Sequence, residues 1–374
     1  MPHLRPSSIP KVAFFLPHLG GGGAEKMMVT FANEFAARRY KVDMVLVQAS
    51  GPNLGLLSEE IRVVDLGSAN TFFSLPALVS YLRDQNPLVL LSSLDLTNSF
   101  ALLARLFSRT KVRVVIRIES MLSSQRRVFW KKILEKNLLS VIYPRADGII
   151  AVSQAVAKDA AKYTGIEPAL IHTIYNPVIT YEPVSRAKLE PAHPWFAKDT
   201  PPVILGVGRL TAIKDFSTLL KAFALVRSQR PAHLLILGEG EQRNLLVQMT
   251  RDLNIDTDVL MPGFVADTLS YMQRCRVFVL SSLSEGLPGA LIEALASDCP
   301  VISTDCPGGA REILANGEYG DLVPVGDPDV MADAICKVLD GKIHHVNREW
   351  LEQFELNHVT DQTLKLLGLP EKVI

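Results

Sequence analysis

The sequence predicts an α/β protein made of two doubly wound domains, and three observations carry that expectation. Short apolar runs recur along all 374 residues, amphipathic stretches lie between many of them, and a proline-rich break divides the series in two. The first series places strands at 12–16, 42–47, 61–66, 88–92, 112–118, 148–152 and 171–174. The second places them at 203–207, 234–238, 259–261, 277–280, 301–304 and 321–323. Continuous apolar strands alternating with helices mean parallel sheets covered on both faces. The run 12–16 opens through a glycine loop into 24–38, where Ala24, Met27, Met28, Phe31, Ala32 and Phe35 fall on one helix face. A second helix is read over 124–142, with Trp130, Leu134, Leu138 and Val141 as its apolar stripe. Between the series, 177–202 carries Pro177, Pro183, Pro191, Pro194, Pro201 and Pro202 with weak periodicity. The chain is therefore divided into a first domain over 1–182, a linker over 183–201, a second domain over 202–347 and a helical C-terminal segment over 348–374.

Length and composition agree. At about 150 residues per domain, this length suits two domains. With 48% apolar and 21% charged residues, the chain is an ordinary globular one. No apolar run approaches the ~18 residues that a bilayer-spanning helix needs. The run 12–16 is too short for a signal-peptide core, so a cytosolic protein is expected. Cys275, Cys299, Cys306 and Cys336 form no CxxC pair and read as buried or incidental thiols. The formal charge is zero, 39 Lys and Arg against 39 Asp and Glu, which argues against a nucleic-acid binder. That zero is a sum of opposites. Residues 1–180 hold 21 bases and 13 acids, a net of +8, and residues 181–374 hold 18 and 26, a net of −8.

Three segments carry candidate chemistry. Gly20, Gly21, Gly22 and Gly23 stand at the start of the first helix, where a glycine backbone and free amides suit a phosphate. They match neither the dinucleotide fingerprint nor a P-loop. Arg209 ends the strand 203–207 after Gly208, and Lys214 follows five residues later. Two cations beyond the carboxyl end of a parallel strand suit a diphosphate. Glu285 and Glu293 stand eight apart around Pro288, one in a loop and one on the helix behind it, so both carboxylates can face one cleft. The amides of Gly289, Ala290 and Leu291 would point at an anion there.

In these residues the chain resembles the family-four retaining glycosyltransferases of the GT-B fold. The resemblance spans nearly the whole chain. It is strongest where Gly206-Val-Gly-Arg-Leu210 with Lys214, Leu237-Gly-Glu-Gly240, Pro262-Gly-Phe-Val265, the Glu285–Glu293 pair and Cys306-Pro-Gly-Gly-Ala-Arg-Glu312 come in the family order. The glycine loop with Ala24-Glu25, and Tyr175-Asn-Pro177, support it. The resemblance implies two Rossmann-like domains facing across a cleft, with a C-terminal helix crossing back to the first. It implies transfer of a hexose or N-acetylhexosamine from a nucleotide-sugar, by family habit a UDP-sugar, to a lipid-linked or glycan acceptor in surface-polysaccharide synthesis. Arg209 and Lys214 would bind the diphosphate and stabilise the leaving group. Glu293 would hold the ribose. Glu285, with the backbone of Gly286, Leu287, Pro288, Gly289 and Ala290, would contact the transferred sugar. Gly238, Glu239, Phe264 and Val265 would frame the base, and the Gly20–Gly23 loop would close on the phosphates. No cofactor and no metal are expected, because Arg and Lys can supply the positive charge. The stretch Ser303-Thr-Asp-Cys-Pro-Gly-Gly309 leans toward enzymes of O-antigen and lipid-linked glycan assembly.

One feature departs from the family. Many relatives place a His after the strand that here is 112–118, where this chain has Arg117-Ile-Glu-Ser120. Some sugar-polymer relatives carry Arg-x-Glu there. Glu119 and His18 are the two candidates to act near the sugar or the acceptor. Residues 105–145 hold eleven Lys and Arg against only Glu119 and Glu135, a net of +9. This basic stretch suits an anionic membrane surface, so a peripheral location on the inner face of the plasma membrane is expected. Two other functions stay open: a non-hydrolysing nucleotide-sugar epimerase of similar two-domain fold, and a non-catalytic binder of an anionic ligand.

Overall fold

The computed structural model describes residues 9–124, 129–180 and 193–373, with backbone only for 129–134. The chain splits into two compact units, residues 1–177 with 355–374, and residues 178–354. Part of the proline-rich break, 181–192, lies outside the described residues.

The first unit holds strands β1 (Lys11–Leu16), β2 (Lys41–Leu46), β3 (Arg62–Asp65), β4 (Val89–Ser93), β5 (Arg113–Ile118), β6 (Gly148–Ala151) and β7 (Ile171–Thr173). Helices α1 (Gly23–Ala37), α2 (Leu75–Gln85), α3 (Asp95–Ser108), α4 (Phe129–Ile142) and α5 (Gln154–Thr164) connect them. The second unit holds β8 (Val203–Val207), β9 (His233–Leu237), β10 (Val259–Gly263), β11 (Val277–Leu280), β12 (Val301–Thr304) and β13 (Asp321–Val323). Its helices are α6 (Phe216–Gln229), α7 (Arg243–Asp252), α8 (Leu269–Met272), α9 (Gly289–Ala296), α10 (Ala310–Ile313), α11 (Pro328–Leu339) and α12 (Arg348–Leu351). Helix α13 (Leu356–Leu367) belongs to the first unit.

Every strand expected from the apolar runs is present. The sheets run β3-β2-β1-β4-β5-β6-β7 and β10-β9-β8-β11-β12-β13, with every pairing parallel. The strand order reverses between β1 and β4 in one sheet and between β8 and β11 in the other. Ligands of open α/β sheets bind beyond the carboxyl ends at such reversals.

The cores explain the apolar runs. In the first unit Val12, Phe14 and Leu16 pack against Phe31 and Phe35 of α1, and against Val359, Leu364 and Leu367 of α13. The Phe14 and Phe35 rings meet edge to face at 5.5 Å. Each such side chain contributes about 1.5–3 kcal/mol by leaving water. Polar contacts fix α13 as well: Arg38 binds Asp361, and Arg113 Nη1 donates to Leu367 O at 2.5 Å. In the second unit Phe223, Leu234, Ile236, Val279 and Ile335 belong to one core.

One reading changes. Among the described side chains of α4, Leu139 and Ile142 are buried, whereas Leu138 and Val141 are 50% and 57% exposed. The expected stripe is thus displaced by one position, and Trp130 and Leu134 lie outside the described side chains. The cysteines are as expected, free thiols with Cys275, Cys299 and Cys306 buried and Cys336 half-buried. Cys275 and Cys299 bring their sulfurs to 3.2 Å in the second core, where burial pushes the Cys275 thiol well up.

Candidate functional site

In the second unit the site forms at the carboxyl ends of β8 and β11. Three backbone bonds lock its turns: Gly208 N to Leu237 O (3.0 Å), Leu210 N to Glu239 O (2.8 Å) and Gly238 N to Gly263 O (2.8 Å). Gly238 has φ +146°, and a Cβ there would fall on Gly208 O. Arg209 leaves this braced turn with an exposed side chain. Lys214 sits in the next turn, held by Leu283 N to Ile213 O and Ser281 Oγ to Lys214 O, both 2.8 Å.

Lys214 Nζ lies 2.6 Å from Glu285 Oε1, and Ser282 Oγ donates to the same oxygen at 2.5 Å. The Glu285 loop is held from behind. Its amide donates to Pro307 O at 3.0 Å, and Gly309 N donates to Gly286 O at 2.9 Å. Gly308, at φ +132°, lets the two backbones touch, because a Cβ there would fall on Glu285 O. Cys306-Pro-Gly-Gly309 is thus the buttress of Glu285. Burial first, then the nearby Glu285 carboxylate, pushes the Cys306 thiol up to about 11, so it stands as a neutral thiol and not a nucleophile.

Helix α9 starts at Gly289, with Pro288 at its N-cap. Gly286, Leu287 and Pro288 are buried, Gly289 and Ala290 half-buried. The Leu291 amide is already donated to Pro288 O at 3.1 Å, so it does not point at a ligand as expected. Glu293 is half-buried on the second turn, within 3.5 Å of Thr268 Oγ1. Phe264 is 77% exposed beside half-buried Val265, a flat apolar surface next to the Gly238 turn. Glu239 is engaged in a way the sequence reading missed. Arg243 grips its carboxylate through Nε (2.7 Å) and Nη2 (2.5 Å), and donates to Met261 O and Gly238 O. The Arg243 guanidinium holds the Glu239 carboxyl below the usual carboxylate range.

The first unit has its own cluster at the carboxyl ends of β1, β4 and β5. His18 Nδ1 accepts from Gly20 N at 3.0 Å, which folds the ring over the glycine loop. Gly23 begins α1, and the Glu25 carboxylate lies against Gly22, where the helix N-terminus favours a negative group. Glu119 is 9% exposed and takes bonds from Ser93 Oγ (3.0 Å) and Arg117 Nε (3.1 Å). Glu119 and His18 thus sit on the same edge of one sheet. The burial and pairing of Arg117 were not expected from the sequence, although a signal existed. A charge inside a strand covered on both faces must be paired, and Glu119 lies two residues on, on the same strand face.

Two Asp-x-Asp triplets occur, and both have structural partners. Asp258 of the first is bonded to Arg227 Nε at 2.9 Å, and Asp327 of the second caps α11 through Val330 N at 3.1 Å.

Comparison with known proteins places the chain in a family. The family of glycosyl transferases group 1 matches residues 201–341, and Glycosyltransferase Family 4 matches residues 21–181. An N-acetylgalactosaminyltransferase of Campylobacter jejuni, named for its N-acetylgalactosamine-N,N'-diacetylbacillosaminyl-diphospho-undecaprenol substrate, is 30% identical over 341 residues, 88% of this chain and 90% of the relative. The lipopolysaccharide core biosynthesis glycosyltransferase LpsE of Rhizobium meliloti is 33% identical over 194 residues, 50% of this chain and 53% of the relative. Among solved structures, Anabaena HepE in complex with UDP-glucose superposes with a TM-score of 0.79 at 19% identity, covering 96% of this chain and 99% of that one. The apo lipopolysaccharide outer core galactosyltransferase WaaB gives 0.72 at 20%, with coverage of 96% and 99%. Both family matches are to transferases, which sets the epimerase reading aside. With the two parallel sheets described above, they place the chain among the family-four glycosyltransferases of the GT-B fold.

Proposed function

We propose that the chain moves a hexose or N-acetylhexosamine from a UDP-sugar to a lipid-linked acceptor, with retention of the anomeric configuration. The observation that carries the reading is the set of Arg209, Lys214 and Glu285 at the strand-order reversal of the second unit. Lys214 Nζ stands 2.6 Å from a carboxylate suited to sugar hydroxyls. The bond from the anomeric carbon to the diphosphate oxygen breaks, and one from the acceptor oxygen forms on the same face. The acceptor proton passes to the departing phosphate. Arg209 and Lys214 stabilise the charge that develops there, the part a metal would otherwise take. Glu293 holds the ribose, Phe264 and Val265 frame the base, and Glu119 accepts a hydrogen bond from the acceptor hydroxyl. The relative's name supports the acceptor class, since it names a diphospho-undecaprenol sugar and an α-linked transfer.

The test is a screen of UDP-sugars with membrane extract, read as UDP release and as the mass and anomeric form of the lipid product. One donor is expected to release UDP only when acceptor is present. Interconversion of the donor sugar without acceptor would overturn the reading.

The membrane part of the proposal rests on α3 and α4. No described helix is long and apolar enough to cross a membrane. Leu106 and Phe107 of α3 are 59% and 53% exposed, as are Leu138 and Val141 of α4 at the values given above. Arg109, Lys111 and Lys136 are exposed in the same stretch. The basic charge is less available than its count suggests, because Arg117 is buried, Arg105 binds Asp147 and Arg113 binds Leu367 O. Arg126, Arg127, Lys131 and Lys132 lie outside the described side chains. Flotation with anionic liposomes is expected to show binding at low salt and release at high salt. No binding to anionic vesicles at low salt would remove the membrane from the proposal.

A further inference from the structure

Arg117 is the largest fully buried side chain of the described residues. It lies in β5, in register with Ser93 of β4. Its Nε donates to Glu119 Oε1, and its Nη2 donates to Asn176 Oδ1 at 2.6 Å. The guanidinium lies 5.0 Å from the Phe31 ring centroid, and its backbone carbonyl accepts from Asn98 Nδ2 at 2.7 Å. Nη1 is buried with no partner, and so is Asn98 Oδ1.

Stability does not explain this arrangement. A buried cation carries a large desolvation cost, and a well-packed apolar residue of similar volume often serves the fold as well or better. The incomplete bonding of Nη1 makes the balance worse. What the guanidinium supplies is geometry, because its rigid fork can hold two acceptors in a fixed relation, which a flexible ammonium does not. Both hydrogen bonds to Glu119, from Arg117 and from Ser93, fall on Oε1. Among the described residues no donor reaches Oε2.

We propose that Arg117 is a positioning residue: it locks the Glu119 carboxylate through one oxygen and leaves the other to the acceptor hydroxyl. Asn176 holds the opposite arm of the fork and so fixes the direction from which Arg117 reaches Glu119. The inference rests on the acceptor role given to Glu119 above.

A double-mutant cycle tests it. Glu119→Gln and Arg117→Met are each expected to lower kcat/KM for the acceptor about 10- to 100-fold, the range for a hydrogen bond to a charged group. The double variant is expected to be no worse than the weaker single one, and KM for the UDP-sugar to stay unchanged. Arg117→Lys is expected to recover activity only in part. Losses that multiply, or that fall equally on donor and acceptor, would overturn the proposal in favour of a merely structural role. A crystal structure of Arg117→Met gives a readout independent of turnover. The Glu119 carboxylate is expected to leave Ser93 Oγ, and an unmoved carboxylate would overturn the positioning role. If the Met variant does not fold, Arg117→Lys carries both measurements. If the unmodified protein transfers no sugar from any donor, the reading of function fails and the crystal structure alone decides the positioning role.

Discussion

Arg209→Ala and Lys214→Ala are each expected to lower kcat by about 10²–10³-fold, the loss typical of removing one donor aimed at developing charge. Their effects on stability should differ, and the difference follows from what each side chain touches. Arg209 is exposed on its turn. Its removal should shift stability by no more than ~0.5 kcal/mol, as for an ordinary surface substitution. Lys214 is the partner of Glu285, whose side chain is 11% exposed. Removing it leaves a carboxylate with Ser282 as its remaining side-chain donor, at a cost of about 1.5–3 kcal/mol. Steady-state UDP release and thermal unfolding of both variants check this. Arg209→Ala should lose turnover at an unchanged melting temperature, and Lys214→Ala should lose both. Near-unmodified turnover in either variant would remove that residue from the diphosphate site. The Lys214–Glu285 bond also predicts that Glu285→Gln weakens the hold on Lys214, so the two substitutions should be non-additive.

How far this site could be read without coordinates depends on the range of each interaction. The strands were legible because a parallel sheet covered on both faces leaves an uninterrupted apolar run, as in Val203–Leu205 and Val301–Ile302. Arg209, Lys214 and Glu285 were legible because each follows a strand end closely, so local order in the chain already places it at the carboxyl edge. Other contacts were not. Arg243 and Glu239 stand only four residues apart, but Glu239 lies in the turn before α7, so helical spacing alone did not mark them as a pair. The bond from Arg117 to Asn176 spans 59 residues, and only the register of β5 against its neighbours brings the two together. The α4 stripe failed for a related reason. An amphipathic pattern gives the width of an apolar face, but the neighbours settle which edge of it is covered, and here they cover Leu139 and Ile142.

The second large effect is expected at a glycine. Gly238→Ala should destabilise the second unit by about 2–6 kcal/mol, from ~1–3 for a side chain held at positive φ and ~1–3 for overpacking. In a unit of this size that is roughly 2–4 °C per kcal/mol in melting temperature. The cause is specific. The added Cβ would fall on a backbone oxygen, that of Gly208, which has no flexible end to swing aside. Relief requires the β8 and β9 turns to part, which stretches the bonds Gly208 N to Leu237 O and Leu210 N to Glu239 O. Arg209 lies between those two donors, so the same movement displaces the group assigned to the diphosphate. Gly238→Ala should therefore raise KM for the donor even at temperatures where the variant is folded. Gly326→Ala separates the two causes: φ is +73° there and a Cβ would meet nothing within 4 Å. It should cost about 1 kcal/mol of conformational strain and leave donor binding intact. Equal melting shifts in the two variants would show that the conformation of Gly238, and not its closeness to Gly208, is what the turn requires. A φ of +146° lies far beyond the left-handed well that Asn tolerates, so Gly238→Asn should restore neither stability nor donor binding in either case.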